Sequence, residues 1–240
     1  MNIKVTLSYD GSLYKGSQKQ PNEITVENKL IDAFKSIQID AKITFSGRTD
    51  KNVHATGQVF NTHVPDFWND FEKLKIVLNR KLPSSIRLLK IVKVEEEFNA
   101  RFWAKKRVYR YLVTTKNKTP FNAKYITQVT KINEELICDA IKYFEGIHDF
   151  EFFHKRGSDK DFLKRIIYET KFYKYKDMYV FKFKANSYLR SQIRLMVGFL
   201  LKISEGSLSI EDLKAQLNKE KHISKYPADG HGLYLARVIY

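Results

Sequence analysis

Two strand-like runs joined by a short polar segment constrain the fold of this chain more than any other feature. Residues 41–46 and 55–64 carry apolar side chains in the alternating pattern of strands that bury one face. The segment between them, residues 47–54, contains a glycine and Asn52, which both tolerate the positive φ of a sharp turn. We therefore predict a strand–turn–strand unit that presents Asp50 at the rim of a sheet, on the kind of loop that often does chemistry.

The order of strand and helix patterns along the rest of the chain predicts an α+β architecture. Alternation predicts further strands at residues 2–10, 86–96, 107–115, 165–174, 178–184 and 232–240. Apolar residues at helical spacing predict helices at residues 25–37, 71–82, 133–145, 187–204 and 210–218. This mixed order indicates two similar α+β halves, residues 1–104 and 105–240, that share a mostly antiparallel sheet as one continuous unit. We expect a central basic cleft between the halves.

The charge of the chain points to a polyanionic partner. The 43 Lys and Arg residues exceed the 27 Asp and Glu residues, which gives a net charge of +16. Such an excess is typical of proteins that bind nucleic acid, although it also occurs where Lys only provides solubility. The 14 Tyr and 17 Phe residues favour nucleic acid, because aromatic rings can stack on unpaired bases.

Other features of the composition exclude several classes of protein. The chain has one cysteine, Cys138, so no intramolecular disulfide can form, which is consistent with a reducing cytoplasm. The pattern around Cys138 predicts a core or boundary position on a helix. No Cys and His cluster has the spacing of metal ligands. Neither a signal peptide nor an apolar run of the ~18 residues needed to span a bilayer is evident, so we expect a cytoplasmic protein.

A series of short motifs extends over nearly the whole chain. They are Tyr9-Asp10-Gly11, Gly47-Arg48-Thr49-Asp50 with Val53-His54-Ala55 and Gly57-Gln58-Val59, Phe98-Asn99-Ala100-Arg101-Phe102, Tyr109-Arg110-Tyr111, Asn186-Ser187-Tyr188-Leu189, Ile193-Arg194 with Met196-Val197-Gly198, and Pro227-Ala228 with Gly232-Leu233-Tyr234-Leu235. In content and order, these motifs resemble the TruA family of tRNA pseudouridine synthases.

The resemblance implies a fold and a reaction. The fold would be that of the pseudouridine synthases, and the reaction would convert uridine to pseudouridine at positions 38, 39 and 40 of the tRNA anticodon stem-loop. It is an isomerisation, so the resemblance implies no cofactor and no metal. It also implies a homodimer, with one tRNA lying across both subunits.

The resemblance also assigns roles to individual residues. Asp50 would be the nucleophile, and Arg194 matches the family's active-site arginine, which would keep that carboxylate ionised. Tyr109 matches the tyrosine that stacks on the target uracil. Arg48 would contact RNA, either by holding a phosphate or by filling the gap that a displaced base leaves. We expect His54 to brace the turn rather than to transfer protons.

The chain departs from the family pattern in two places. Lys51-Asn52 stands where the family usually has Ala-Gly, and Asn is well suited to replace Gly in a left-handed turn. The sequence after Phe150 matches poorly and assigns no role to His154 or Arg156.

Two other functions are compatible with parts of this sequence. A tRNA-binding module without catalysis could use the same scaffold, although a pure binder would not need the Asp50 carboxylate facing a polyanion. A hydrolase could use Ser46 and His54, but the chain has no Gly-x-Ser-x-Gly elbow.

Overall fold

The computed structural model of the protein describes residues 1–155 and 162–240. Contacts divide the chain into two compact units, Met1–Lys105 with Tyr234–Tyr240, and Lys106–Leu233. In chain order the elements are β1 (Asn2–Tyr9), α1 (Val26–Lys35), β2 (Thr44–Phe45), β3 (His54–His63), α2 (Phe71–Lys81), β4 (Ile86–Lys93), β5 (Lys106–Thr114), β6 (Thr127–Gln128), α3 (Glu134–Lys142), β7 (Gly146–Asp149), β8 (Lys164–Tyr175), β9 (Met178–Ala185), α4 (Gln192–Glu205), α5 (Ile210–Leu217) and β10 (Leu233–Ile239). The predicted α+β class is confirmed.

The sheet of the first unit is centred on β1 and β3. β1 pairs antiparallel with β3 on one side and with β4 on the other. The short strand β2 also pairs antiparallel with β3, and the chain returns at its end so that β10 pairs with β3 in parallel. Both strands that flank the 47–54 segment are therefore tied into one sheet.

The core of the first unit follows from the alternation along β1. Ile3, Val5 and Leu7 are fully buried. Helix α1 begins where the Thr25 side chain accepts a hydrogen bond from the backbone of Asn28, a capping interaction worth about 1 kcal/mol. On the buried side of α1, the ring of Phe34 meets the ring of Phe60 on β3 edge to face at 6.3 Å. These contacts hold α1 against the sheet.

In the second unit β9 pairs antiparallel with β5 and β8, and β7 pairs antiparallel with the far side of β8. The short strand β6 pairs with β5 in parallel. Helices α3 and α4 contact each other, and α3 also contacts β8. Buried rings fill the interior, among them Phe153, which lies 5.3 Å from the Phe144 ring and 5.7 Å from the Phe199 ring.

Three details differ from the sequence-based expectations. Helix α4 begins at Gln192 rather than near residue 187, because Ser191 has a left-handed backbone with φ of 59°. The short strands β6 and β7 were not predicted, since two to four residues are too few to show a period. Cys138 is exposed, so the predicted core or boundary position is wrong; its neighbours Ile137 and Ile141 take the buried face of α3.

The approach of β10 to β3 depends on a glycine and gives a stability prediction. A Cβ atom on Gly57 would lie 2.4 Å from the carbonyl oxygen of Ala236, a backbone atom that cannot move without breaking the strand pair. We expect Gly57→Ala to lower the free energy of unfolding by about 3 kcal/mol, the upper range for overpacking, measured by denaturant titration.

A second glycine provides the control. Gly206 ends α4 with φ of 80°, and a Cβ atom there would meet nothing within 4 Å. Gly206→Ala should therefore lower the free energy of unfolding by about 1–2 kcal/mol, which is the cost of a left-handed backbone at a residue with a Cβ atom. Equal losses in the two variants would contradict the close approach at Gly57.

Candidate active site

The Asp50 loop lies between β2 and β3, as the sequence predicts. Asp50 is half-buried and Arg48 is exposed. The backbone N–H of Val53 donates to the Asp50 carbonyl at 3.2 Å, which closes a tight turn. Asn52 has φ of 65°, so the expected left-handed residue is confirmed at this position. The carboxylate is thus presented by a turn whose two ends are fixed in the sheet.

The side of the loop next to β2 is braced by a buried amide. The Gln58 side chain on β3 accepts a hydrogen bond from the Ser46 hydroxyl at 2.7 Å and donates to the Gly47 carbonyl at 2.9 Å. Ser46 is only 1% exposed. A buried hydroxyl that donates to an amide is poorly placed to attack a substrate, which counts against the hydrolase alternative with Ser46 as nucleophile.

His54 has the environment of a structural residue. It is 2% exposed, and its ring stacks on that of Tyr234 with 4.7 Å between centroids. Its Nδ1 atom accepts a hydrogen bond from the backbone N–H of Gly11 at 3.1 Å. In the neutral ring this leaves the proton on Nε2. The Asp10 carboxylate lies 3.3 Å from Nδ1. The geometry is that of a brace between the start of β3 and the residues that follow β1.

Tyr109 and Tyr111 lie on the same face of β5, and Arg110 lies on the exposed face. Tyr111 is fully buried; its hydroxyl donates to the Asp229 carbonyl and is 2.8 Å from the Thr127 hydroxyl. Burial raises the pKa of the Tyr111 phenol. Tyr109 retains 8% exposure. Of this pair, Tyr111 is therefore a core residue with satisfied hydrogen bonds.

Tyr109 is held against a second tyrosine of its unit. The rings of Tyr109 and Tyr188 meet edge to face with 5.2 Å between centroids, a geometry that fixes ring orientation. Burial raises the pKa of Tyr188 well above its usual value, and the nearby Tyr109 phenol raises it further. The Tyr188 hydroxyl has no hydrogen-bond partner among the described residues.

Arg194 is in the first turn of α4 and is half-buried. Its Nε donates to the Ala228 carbonyl at 2.8 Å, and the Ala228 N–H donates to the Arg194 carbonyl at 2.8 Å. The first bond orients the guanidinium, and the second ties the backbone of Arg194 to that of Ala228. Arg48 and Asp50 belong to the first unit, whereas Tyr109 and Arg194 belong to the second.

Comparison with known proteins agrees with these motifs. The sequence model described as tRNA pseudouridine synthase matches residues 6–102 and 140–240. The chain belongs to the tRNA pseudouridine synthase family. It is 37% identical over 240 residues to tRNA pseudouridine synthase A of Campylobacter jejuni (strain RM1221), covering 100% of both chains. Identity is 40% over 232 residues with that of Wolinella succinogenes (97% of this chain, 92% of the relative) and 38% over 242 residues with that of Helicobacter pylori (99% of each).

Membership in this family confirms the predicted resemblance, the pseudouridine synthase fold and the enzyme class, an isomerase that converts uridine in tRNA to pseudouridine. The solved Cbf5-Nop10-Gar1 complex is 13% identical with a TM-score of 0.39, covering 81% of this chain and 44% of that chain, too distant to carry an argument.

A basic surface lies on the exposed face of the second unit's sheet. Residues directly opposite each other in an antiparallel pair share a face. Arg110 is opposite Lys182, which is opposite Lys171, and Lys184 is opposite Glu169. Hydrogen bonds from Lys184 and Lys182 lower the pKa of Glu169 to about 2. We call these five residues the basic face; its four cations exceed its single carboxylate.

Three further features concern possible metal ligands, membrane-spanning helices and the residues after Phe150. Within residues 1–155 and 162–240, no group of three His, Cys, Asp or Glu side chains could hold a metal ion. No helix of the described ranges is long and apolar enough to cross a membrane. The ring of His154 is 2.9 Å from the Glu151 carbonyl, and Arg156 lies outside the described residues.

The sequence did not reveal the residues that support the Asp50 loop from the N-terminal side. Ser17 lies in a polar loop without a periodic pattern, and Tyr9 matched a strand position that needed only an apolar ring. Both contact Thr49, the residue before Asp50. Tyr9 belongs to one of the quoted motifs, but no local signal could reveal that it and Ser17 contact Thr49, because these contacts join positions more than 30 residues apart.

Proposed function

We propose that this enzyme converts uridine to pseudouridine at positions 38, 39 and 40 of the tRNA anticodon stem-loop, with Asp50 as the nucleophile. The observation that carries the proposal is the half-buried Asp50 on a turn fixed in the sheet at both ends, within a chain that belongs to this family. A carboxylate suits covalent catalysis at an electrophilic carbon.

The reaction conserves all atoms of the nucleoside. The N1–C1′ glycosidic bond breaks, the uracil turns, and a C5–C1′ bond forms. The proton on C5 must then leave, and N1 gains one. Asp50 acts either by attack on C6 of the base or at the ribose carbon, and both routes return the carboxylate unchanged at the end of the cycle. No redox partner or energy source is required by this balance.

The other site residues act on the displaced nucleotide and its surroundings. Tyr109 stacks on the target uracil, since a base that leaves the helix needs an aromatic or apolar surface. Arg194 supplies the positive charge that keeps the carboxylate ionised. Arg48, which is exposed on the Asp50 loop, contacts the RNA as a phosphate ligand or by filling the space that the base leaves.

The partners of the enzyme are tRNA and a second copy of the chain. The net charge of +16 and the basic face favour a polyanion, and Lys and Arg contacts to phosphate dominate the affinity of such complexes. We propose a homodimer acting on tRNA in the cytoplasm. Mapping pseudouridine in tRNA from cells that lack this gene tests the three positions, and unchanged modification at positions 38–40 would refute them.

The first variant tests the nucleophile. Asp50→Asn replaces the carboxylate by an isosteric amide that cannot act as an anion, so tRNA binding should persist. We expect pseudouridine formation to fall below about one thousandth of the wild-type rate, about 4 kcal/mol of barrier, measured by tritium release from 5-³H-uridine tRNA.

Asp40→Asn is the matched control, since Asp40 is an exposed carboxylate of the same unit and should leave turnover unchanged. Activity of Asp50→Asn above about one thousandth of the wild-type rate, about 4 kcal/mol of barrier, would contradict the assignment of Asp50 as the nucleophile. Wild-type protein that binds tRNA without any tritium release would contradict the proposed reaction.

The second pair of variants separates stacking by Tyr109 from proton transfer. The phenol of Tyr109 is the group we expect to relay the proton from C5, because Arg194 cannot accept a proton. Tyr109→Phe should bind tRNA normally and lose turnover by about 10²–10⁴-fold. Tyr109→Leu should in addition lose ~1–3 kcal/mol of base stacking.

Tyr111→Phe provides the control for these variants, because it removes a phenol from the same strand face at a buried core position. It should lower stability and leave the turnover of the folded enzyme intact. Equal and mild losses of turnover in Tyr109→Phe and Tyr109→Leu would show that Tyr109 takes no part in the reaction.

The salt dependence of binding tests the basic face. Each lost phosphate contact should reduce the slope of log affinity against log salt by roughly 0.7–0.9. We expect the double variant Arg110→Gln/Lys171→Gln to reduce the slope accordingly. Lys116→Gln removes a cation that lies outside the basic face and pairs with Asp177 at 2.8 Å, so it should leave the slope unchanged. A slope near zero in the wild type would refute nucleic-acid binding through charge.

A further inference from the structure

The residue before Asp50 is held through every polar group that it has. The backbone N–H of Thr49 donates to the Ser17 hydroxyl at 2.9 Å, and its carbonyl accepts from the Ser17 backbone N–H at 3.1 Å. Its side-chain hydroxyl is 2.8 Å from the hydroxyl of Tyr9. Thr49 is buried, so these bonds do not compete with water. The N-terminal segment, residues 9–17, therefore holds the peptide that leads into Asp50 in place.

Close packing reinforces these hydrogen bonds. A Cβ atom on Gly16 would lie 2.8 Å from the Thr49 carbonyl oxygen and 3.6 Å from the carbonyl carbon of Asp50. A Cβ atom on Gly11 would lie 1.9 Å from the Val53 carbonyl oxygen. The backbone of the N-terminal segment thus touches the Asp50 loop at Thr49 and at Val53, before and after Asp50 along the chain, and glycine is required at both contacts.

Ser17 and Tyr9 are suited to hold a position rather than to exchange protons. Ser17 is fully buried, and Tyr9 is 5% exposed. Burial raises the pKa of Tyr9 to about 12, although hydrogen bonds with Thr49, Gln58 and Ser17 oppose the shift. The phenol therefore remains neutral over the working range of an enzyme and cannot serve as a base there. Its hydroxyl remains available for the hydrogen bond to Thr49.

We propose that Ser17 and Tyr9 are positioning residues for the reaction, which hold Asp50 in its reactive orientation by fixing Thr49. A nucleophile must be held to within a fraction of an ångström of its productive geometry, and a displacement of 1 Å can cost ~10²-fold in rate. Without the two hydroxyls, the turn would remain joined to β2 and β3, but Thr49 would lose its hydrogen bonds to the side chains of Ser17 and Tyr9. Ser17 and Tyr9 do not touch the substrate in this role.

The test measures turnover, tRNA affinity and unfolding free energy of Ser17→Ala, Tyr9→Phe and Thr49→Val in the full-length enzyme. We expect kcat to fall about 10–100-fold in each, with the Kd for tRNA within twofold of the wild type. Thr49→Ser keeps the hydroxyl and should restore most of the turnover. In the double variant Tyr9→Phe/Thr49→Val, the loss should be smaller than the sum of the two single losses, because both changes remove the Tyr9–Thr49 bond.

Tyr14→Phe is the matched control. Tyr14 belongs to the same N-terminal segment and is equally buried at 5% exposure, but its hydroxyl bonds to Ser85 at 2.6 Å instead of to the Asp50 loop. It should lower the unfolding free energy without changing kcat. If Ser17→Ala does not fold, Tyr9→Phe and Thr49→Val decide the question. A kcat in the folded variants equal to that of Tyr14→Phe would overturn the proposal.

Because this role rests on Asp50 being the nucleophile, Asp50→Asn is measured in the same assay. An active Asp50→Asn variant would refute the proposed function itself. An inactive Asp50→Asn variant together with fully active Ser17→Ala and Tyr9→Phe variants would refute only the positioning role. The two failures therefore give different results.

Discussion

The antiparallel pairing of β1 with β3 is the interaction on which the Asp50 loop depends. It joins the first strand of the chain to the strand that follows the loop, with Leu7 opposite Gln58 and Tyr9 opposite Ala55. The register shifts between these two pairs as in a β-bulge, with the extra residue in β3 between Ala55 and Gln58, opposite the end of β1. Tyr9 is thereby brought within hydrogen-bond distance of Thr49, and the segment that follows packs against the turn.

The same pairing explains why the turn tolerates an unusual residue. Tertiary hydrogen bonds at Thr49 and Gly47 hold the loop in addition to the turn itself. Asn52 needs only to adopt φ of 65°, which costs Asn less than most residues. Replacement of the family's usual Gly at this position is thus compatible with a fixed carboxylate.

In the second unit, two tyrosines on one strand have different environments. Tyr109 and Tyr111 share a face of β5, but the hydroxyl of Tyr111 is bound by Asp229 and Thr127, whereas the ring of Tyr109 is oriented by Tyr188. The opposite face of the same sheet gathers lysines around Glu169. One sheet therefore separates an apolar, ring-lined side from a cationic side.

The sequence by itself determined the α+β class, most of the helices and strands, and the identity of Asp50, Tyr109 and Arg194 as candidates, because alternation, caps and motifs are local properties. It did not determine the start of α4, which is set by the left-handed backbone of Ser191. Nor did it determine that β10 pairs with β3. It also could not show that Ser17 and Tyr9 support Thr49, since these contacts join positions 32 and 40 residues apart. Such contacts depend on the register of β1 with β3, on the bulge in that pair, and on the close approach of Gly11 and Gly16 to the Asp50 loop. These features exist only in the tertiary structure.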